Sequence, residues 1–61
     1  MKRRDLIRHL EVHGCRLVRE GGSHSIWQNA NTQKRTAVPR HTEIVEYTVA
    51  KICKQLGIPI P

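Results

Sequence analysis

Hydrophobic positions recur with a helical period near both ends of this chain. Within residues 2–13, the apolar side chains of Leu6, Ile7 and Leu10 form a narrow stripe, and most charged residues lie off it. Near the C-terminus a second stripe recurs at i, i+3, i+4 and i+7, and it consists of Val49, Ile52, Cys53 and Leu56. This spacing is typical of a helix that packs through one face. The pattern therefore predicts a helix over residues 2–13 and a second helix that carries the C-terminal stripe.

The ends of both predicted helices carry recognisable signals. Gly14 and Gly57 each follow the last helical residue, where a glycine in the left-handed conformation ends a helix at little steric cost. Ile58 is expected to fold back against the last turn of the second helix. Thr48 or Glu46 is expected to cap its start.

Short runs of apolar, β-branched and polar residues between the two helices predict strands. The predicted strands cover residues 15–19, 23–28 and 33–38. Gly21-Gly22 is a turn signal with positive φ available at both positions, and residues 29–32 have the composition of a loop. Pro39 ends the third strand or marks its edge. Two hairpins in series then give an antiparallel three-stranded sheet.

The resulting order is α-β-β-β-α, an α+β fold. Because neither a helix nor a sheet can bury its apolar face alone, we expect both helices on one face of the sheet. The 61 residues allow a single domain, residues 1–61, which buries roughly 60% of the surface of the unfolded chain. This size excludes a Rossmann fold or a deep cofactor cavity, so no cofactor is expected.

The charge of the chain points to an anionic partner. Eleven Lys and Arg residues against five Asp and Glu residues give a net charge of +6, which suits nucleic acid, an acidic protein or an anionic lipid surface. Lys34, Arg35 and Arg40 lie in a stretch without acids, residues 21–42. Nothing negative is therefore expected to oppose a phosphate there, although a solvated basic surface is the plainer interpretation.

The sequence also favours a cytoplasmic protein. Cys15 and Cys53 lie outside any CxxC pair, so we expect two reduced, buried thiols. No apolar run approaches the roughly 18 residues of a membrane span. Residues 1–5 begin basic and lead into an amphipathic pattern, so no signal peptide is expected.

The four histidines differ in their surroundings. His9 and His13 share a helical face but lack a third metal ligand, so surface histidines are expected there and no metal site. His24 and His41 lie in the stretch without acids. An imidazole beside cations suits a general base, which in a ribonuclease removes the proton of a 2′-hydroxyl. A packed or surface histidine is the alternative interpretation of either residue.

The two aromatic residues of the chain bear on this hypothesis. Trp27 and Tyr47 are too few for the stacking platform of an RRM or a typical single-strand binder. His24 and Trp27 are three apart and face opposite sides of a regular strand. If Trp27 is in the core, His24 is free on the other face. Ile26, however, shares the parity of His24, so the pattern leaves the buried face open.

Taken together, these motifs resemble the HicA-type toxins of HicA–HicB toxin–antitoxin pairs. The resemblance covers nearly the whole chain and is carried by an N-terminal helix, Gly22-Ser23-His24 with Trp27 after it, Val38-Pro39-x-His41 and the ending Ile52-Cys53-Lys54-Gln55-Leu56-Gly57-Ile58. The chain departs from the family pattern at Glu46-Tyr47-Thr48, where Lys-Gly-Thr is more usual.

The resemblance implies a fold similar to a double-stranded-RNA-binding domain and a metal-independent mRNA interferase, an endoribonuclease held inactive by a HicB-like antitoxin. By the same resemblance His24 is the catalytic residue, and His41 has either a structural or an assisting role. We expect RNA contacts from residues around the motif and in the basic stretch, namely Gly22, Ser23, Lys34, Arg35, Arg40 and His41. A non-catalytic RNA-binding module and a subunit that only docks an acidic protein remain as alternatives.

Overall fold

A computed structural model describes residues 1–61, and it has the predicted order of elements. Two helices, α1 and α2, flank three strands, β1 to β3. Their bounds are α1 Arg3–Val12, β1 Cys15–Glu20, β2 His24–Asn29, β3 Arg35–Pro39 and α2 Glu46–Leu56. The strands form one antiparallel sheet in the order β1-β2-β3. The α+β fold class predicted from the hydrophobic pattern is confirmed, and most element ends shift by one or two residues.

Both helices cover the same face of the sheet. Leu6 and Leu10 of α1 are fully buried, as is Val49 of α2. These side chains meet the inward side chains of the strands in one hydrophobic core, whose remaining members are Cys15, Trp27, Val38, Ile44, Ile52, Cys53 and Leu56. The opposite face of the sheet has no covering element, and we call it the open face.

The packing of β2 resolves the parity that the sequence left open. Ser25, Trp27 and Asn29 are all buried beneath the helices, and side chains alternate between the two faces of a strand. His24 and Ile26 therefore lie on the open face, where His24 is exposed. Trp27 belongs to the core, which is the condition under which the sequence pattern leaves His24 free on the other face.

Glycines end both helices as predicted. Gly14 and Gly57 have φ values of 81° and 71°. At the end of α2 the Ile58 N–H donates to the carbonyl of Cys53 at 3.0 Å, and Ile58 packs against the core. This is the hydrogen bond that closes a helix through a left-handed residue.

The expected cap of α2 is wrong. The residue before the helix is Val45, in an extended conformation, and no side chain caps the helix start. Glu46 is the first helical residue, where its carboxylate is favoured by the positive end of the helix dipole. The helix begins two residues before Thr48, and the loop residue Ile44, which comes just before Val45, is buried in the core.

The β1–β2 turn does not use the positive φ available to its glycines, since Gly14 and Gly57 are the only glycines with positive φ. A Cβ atom on Gly21 would lie 2.7 Å from the carbonyl oxygen of His24, whereas nothing lies within 4 Å of one on Gly22. Close backbone approach, not dihedral freedom, therefore requires glycine at position 21.

Neither helix has the length and the apolar composition that a membrane-spanning segment needs.

Candidate active site

His24 begins β2 at one end of the sheet and projects from the open face. It pairs across the sheet with Pro39 of β3. Its Nδ1 atom lies 3.3 Å from the hydroxyl oxygen of Ser23. When Nδ1–H donates to that oxygen, Nε2 presents its lone pair to solvent, which is the tautomer that a general base requires.

An open groove of about 300 Å³ lies beside His24. One wall comes from β2 and β3, through His24 and Pro39, and the other comes from α2, through Tyr47, Lys51 and Gln55. None of the lining residues is acidic. Lys51 therefore supplies positive charge to a groove in which no carboxylate offsets it, an arrangement that favours an anionic ligand.

A side-chain hydrogen bond holds the helical wall of the groove against the sheet. The Thr36 hydroxyl of β3 donates to Oε1 of Gln55 on α2. Both residues line the groove. The contact fixes the distance between β3 and the face of α2 that carries Lys51.

Arg3 of α1 fastens the strand ends that carry His24. Its Nε donates to the Pro39 carbonyl at 2.9 Å, and its Nη2 donates to the hydroxyl of Ser25 at 3.0 Å. Pro39 is the cross-strand partner of His24, and Ser25 is the next residue along the chain. The first turn of α1 thus constrains the backbone on both sides of the imidazole.

Glu20 extends this network across the β1–β2 hairpin. Its Oε1 accepts from the Ser25 hydroxyl at 2.8 Å and from Nη2 of Arg40. Arg40 also donates to the carbonyl of Gly21 at 2.9 Å. The expectation that nothing negative opposes a phosphate in this stretch is therefore wrong for Arg40, because the hairpin brings Glu20 of the preceding strand opposite Ser25.

Four of the predicted RNA contacts lie at the same end of the sheet as His24. Gly22 and Ser23 form the exposed turn immediately before it, and Arg40 and His41 follow Pro39 and are also exposed. These residues flank the imidazole along the chain or across the sheet.

Lys34 and Arg35 lie at the opposite end. Arg35 is paired with Gln28 at the start of β3, roughly 13 Å from the His24 end at the usual rise per strand residue. The Lys34 amine lies near the C-terminal end of α2, 3.4 Å from where a Cβ on Gly57 would stand. The structure does not bring this pair together with His24.

The open face carries two further arginines that the sequence pattern did not reveal. Arg16 and Arg19 of β1 pair with Gln28 and Ile26, which project from the open face. The register shifts between Leu17 and Arg19, and this bulge lets residues three apart share one face. Strict alternation places them on opposite faces, so only the register shows that both are on the open face.

Lys51 and Tyr47 were also missed. Together with Gln55 they recur every four residues along α2, which puts them on one exposed helical face. That periodicity was the available signal. Their approach to His24 depends on how α2 packs on β3, which the sequence alone does not specify.

The remaining histidines are held by backbone carbonyls. His9 Nε2–H donates to the Pro59 carbonyl at 2.6 Å, and His13 Nδ1–H donates to the His9 carbonyl at 2.9 Å. The structure contains no group of three or more His, Cys, Asp or Glu side chains able to hold a metal ion. The His13 imidazole therefore contacts the backbone of α1, and the His9 imidazole links α1 to the C-terminal segment.

Comparison with known proteins defines the class. A family model described as the HicA toxin of bacterial toxin–antitoxin systems matches residues 3–58, nearly the whole chain. The protein is a toxin of such a system, and this class implies an antitoxin partner. The chain belongs to the HicA toxin family, which confirms the resemblance noted in the sequence. No curated protein and no solved structure matches the chain.

Proposed function

We propose that this toxin is a metal-independent endoribonuclease that cleaves mRNA, with His24 as its general base. The observation that carries the proposal is the exposure of His24 on the open face, in a groove lined by Lys51 and by no carboxylate. An RNA backbone can reach the imidazole there without crossing a layer of protein. The resemblance to HicA toxins supports the same residue.

The chemistry needs the RNA, the side chains of the groove and solvent water. Nε2 of His24 takes the proton of a 2′-hydroxyl, and that oxygen attacks the adjacent phosphorus. The bond from phosphorus to the 5′-oxygen breaks, and this oxygen takes a proton from solvent water as it leaves. The products are a 2′,3′-cyclic phosphate and a 5′-hydroxyl end. The Lys51 amine stabilises the negative charge that builds on the phosphoryl oxygens.

The substitution His24→Ala tests the proposal. We expect it to abolish RNA cleavage and growth arrest on induced expression, with far-UV circular dichroism and Tm unchanged because the ring is on the surface. His13→Ala is the matched control, since it removes a histidine outside the groove. For the wild type we expect products that end in 2′,3′-cyclic phosphates, and we expect EDTA to leave cleavage unchanged.

Two results contradict the mechanism. Full cleavage by folded His24→Ala shows that the imidazole is not the base. Loss of wild-type cleavage in EDTA shows that a metal ion is required.

A HicB-like antitoxin is the partner that we infer for the groove. The net charge of +6 favours an acidic surface on the partner, and occupation of the groove denies RNA access to His24. Co-expression of such an antitoxin is expected to restore growth, and the purified complex is expected to lose cleavage.

A second candidate function is RNA binding without cleavage. The arginines of the open face favour it, because Arg16, Arg19 and Arg35 project from the same sheet surface. Under this alternative, RNA binding falls steeply with salt and the bound RNA stays intact. A gel assay with labelled single-stranded RNA separates the two functions.

A further inference from the structure

A second groove lies at the same end of the sheet as His24, on the side of the helices. It has a volume of about 300 Å³ and every residue lining it is polar; we call it the basic groove, and its residues are Lys2, Arg3, Arg4, Arg40 and Thr42. The Arg3 N–H donates to the Thr42 carbonyl at 2.8 Å. That bond joins the start of α1 to the loop that follows β3, so the two walls of the groove are held together.

Four of the five lining residues are cationic, and their charge is only partly neutralised. Arg40 contacts Glu20, and the Lys2 amine lies 3.6 Å from Oε1 of Glu43. Arg3 donates only to neutral oxygens, and Arg4 forms no side-chain hydrogen bond or ion pair. The groove therefore holds two guanidinium groups without a carboxylate partner, and these groups match the geometry of phosphate oxygens.

The position of the basic groove relates it to His24. Arg3 lines the groove and also contacts Pro39 and Ser25, the cross-strand partner and the chain neighbour of His24. The two grooves share no lining residue, but the contact between Arg3 and Pro39 joins a wall of one to a wall of the other. An RNA strand that presents one phosphodiester to the imidazole can continue past Pro39 into the basic groove.

We propose that the basic groove binds the phosphodiester backbone of single-stranded RNA a few nucleotides from the bond at His24. The identification of the ligand as RNA rests on the proposed function, whereas the location of the binding site rests on the cluster of cations. The groove sets the length of RNA that the toxin grips, and it adds affinity without reading the bases. Its residues do not touch the reacting atoms.

Arg4→Gln against Arg8→Gln is the sharpest pair of variants. Both remove one guanidinium from an exposed position of α1, but Arg8 lies outside the groove and pairs with Asp5 at 3.8 Å. Neither position contributes to the buried core, so both variants are expected to keep the Tm of the wild type. The comparison separates the effect of losing a cation from the basic groove from the effect of losing one positive charge elsewhere on α1.

The probe is a fluorescent 12-nucleotide single-stranded RNA with 2′-O-methyl groups, which lacks the nucleophile and cannot be cleaved. Anisotropy titrations at several salt concentrations give Kd and its salt dependence. We expect Arg4→Gln to raise Kd by about fivefold at 0.1 M salt and to flatten the slope of log K against log salt by about 0.7. Arg8→Gln is expected to stay near the wild-type values.

Equal Kd values and slopes for the two variants overturn the proposal. So does unchanged RNA binding by Arg4→Gln combined with weaker binding of the antitoxin, because the groove then belongs to the protein partner. Since the probe cannot be cleaved, the result is independent of the nuclease assignment, which His24→Ala tests separately. A toxin that cleaves RNA but shows no effect of Arg4→Gln retains the proposed function and loses only this inference.

Discussion

The two faces of the sheet use alternate residues of the same strands for different purposes. On the face that both helices cover, which we call the helical face, Trp27 is 6% exposed and Val38 is fully buried. On the open face, His24 and Ala37 are exposed, and Arg16, Arg19 and Arg35 project from the same surface of the sheet. The buried core lies on one face, and the proposed general base lies on the other. Substitutions one residue apart are therefore expected to separate folding from function.

The largest expected contrast lies within β2. Trp27→Ala removes a buried indole and is expected to lower the free energy of unfolding by about 3–5 kcal/mol, the usual range for such truncations. Ile26→Ala, on the open face, is expected to lower it by about 1 kcal/mol or less. Urea denaturation followed by circular dichroism measures both. Equal losses at the two positions contradict the division between the faces.

A smaller effect is expected at the turn that leads into His24. Gly21→Ala places a Cβ against the His24 carbonyl, and the resulting strain is expected to destabilise the fold by about 1–3 kcal/mol. Because the Gly21 N–H also donates to that carbonyl at 2.8 Å, the strain is expected to displace His24 and slow cleavage.

Gly22→Ala is the matched control for the turn. The space around Gly22 is open and its φ is not positive, so the free energy of unfolding should stay near the wild-type value. A Gly21→Ala protein as stable as Gly22→Ala contradicts the close-approach explanation.

The smallest expected effect is the pH dependence of stability that arises from the two buried thiols beneath the helices. Burial raises the pKa of Cys15 and Cys53 above the ordinary thiol value of 9.0, and at Cys53 the nearby Cys15 adds to the rise. Unfolding exposes both thiols and returns them to lower pKa values. Their stabilising contribution is therefore complete below pH about 9 and is lost as the pH rises through the folded-state values.

Thiol trapping at pH 8 measures how strongly burial protects the two cysteines from reaction in the folded protein. Native protein is expected to react with Ellman's reagent far more slowly than protein in 8 M urea, since both thiols are buried. Rapid reaction of both thiols in the native state means that the helical face opens readily.

The fold was largely predictable because its signals are local. The apolar stripes defined both helices, and Gly14 and Gly57 marked their ends. The faces of β2 were not predictable, because Ile26 and Trp27 put one apolar side chain on each parity. Only packing beneath two helices decides which of them is buried.

The candidate site was predictable at its centre and not at its edges. His24 was selected from its turn and from the family motif, and its catalytic role stays a prediction. Lys51 reaches the groove through the packing of α2 on β3, and Glu20 reaches Arg40 through a hairpin register. Arg19 joins Arg16 on the open face through a bulge. Each of these depends on contacts between elements, which no local pattern encodes.

The wall that α2 contributes to the His24 groove has a consequence for synthesis on the ribosome. The imidazole belongs to β2, but Lys51 and Gln55 follow it by more than twenty positions. A nascent chain that has exposed only its strands holds the histidine without the groove. The RNA site that we propose is thus complete only after α2 has emerged and docked, and we expect a growing chain on its own ribosome not to cleave the message that encodes it.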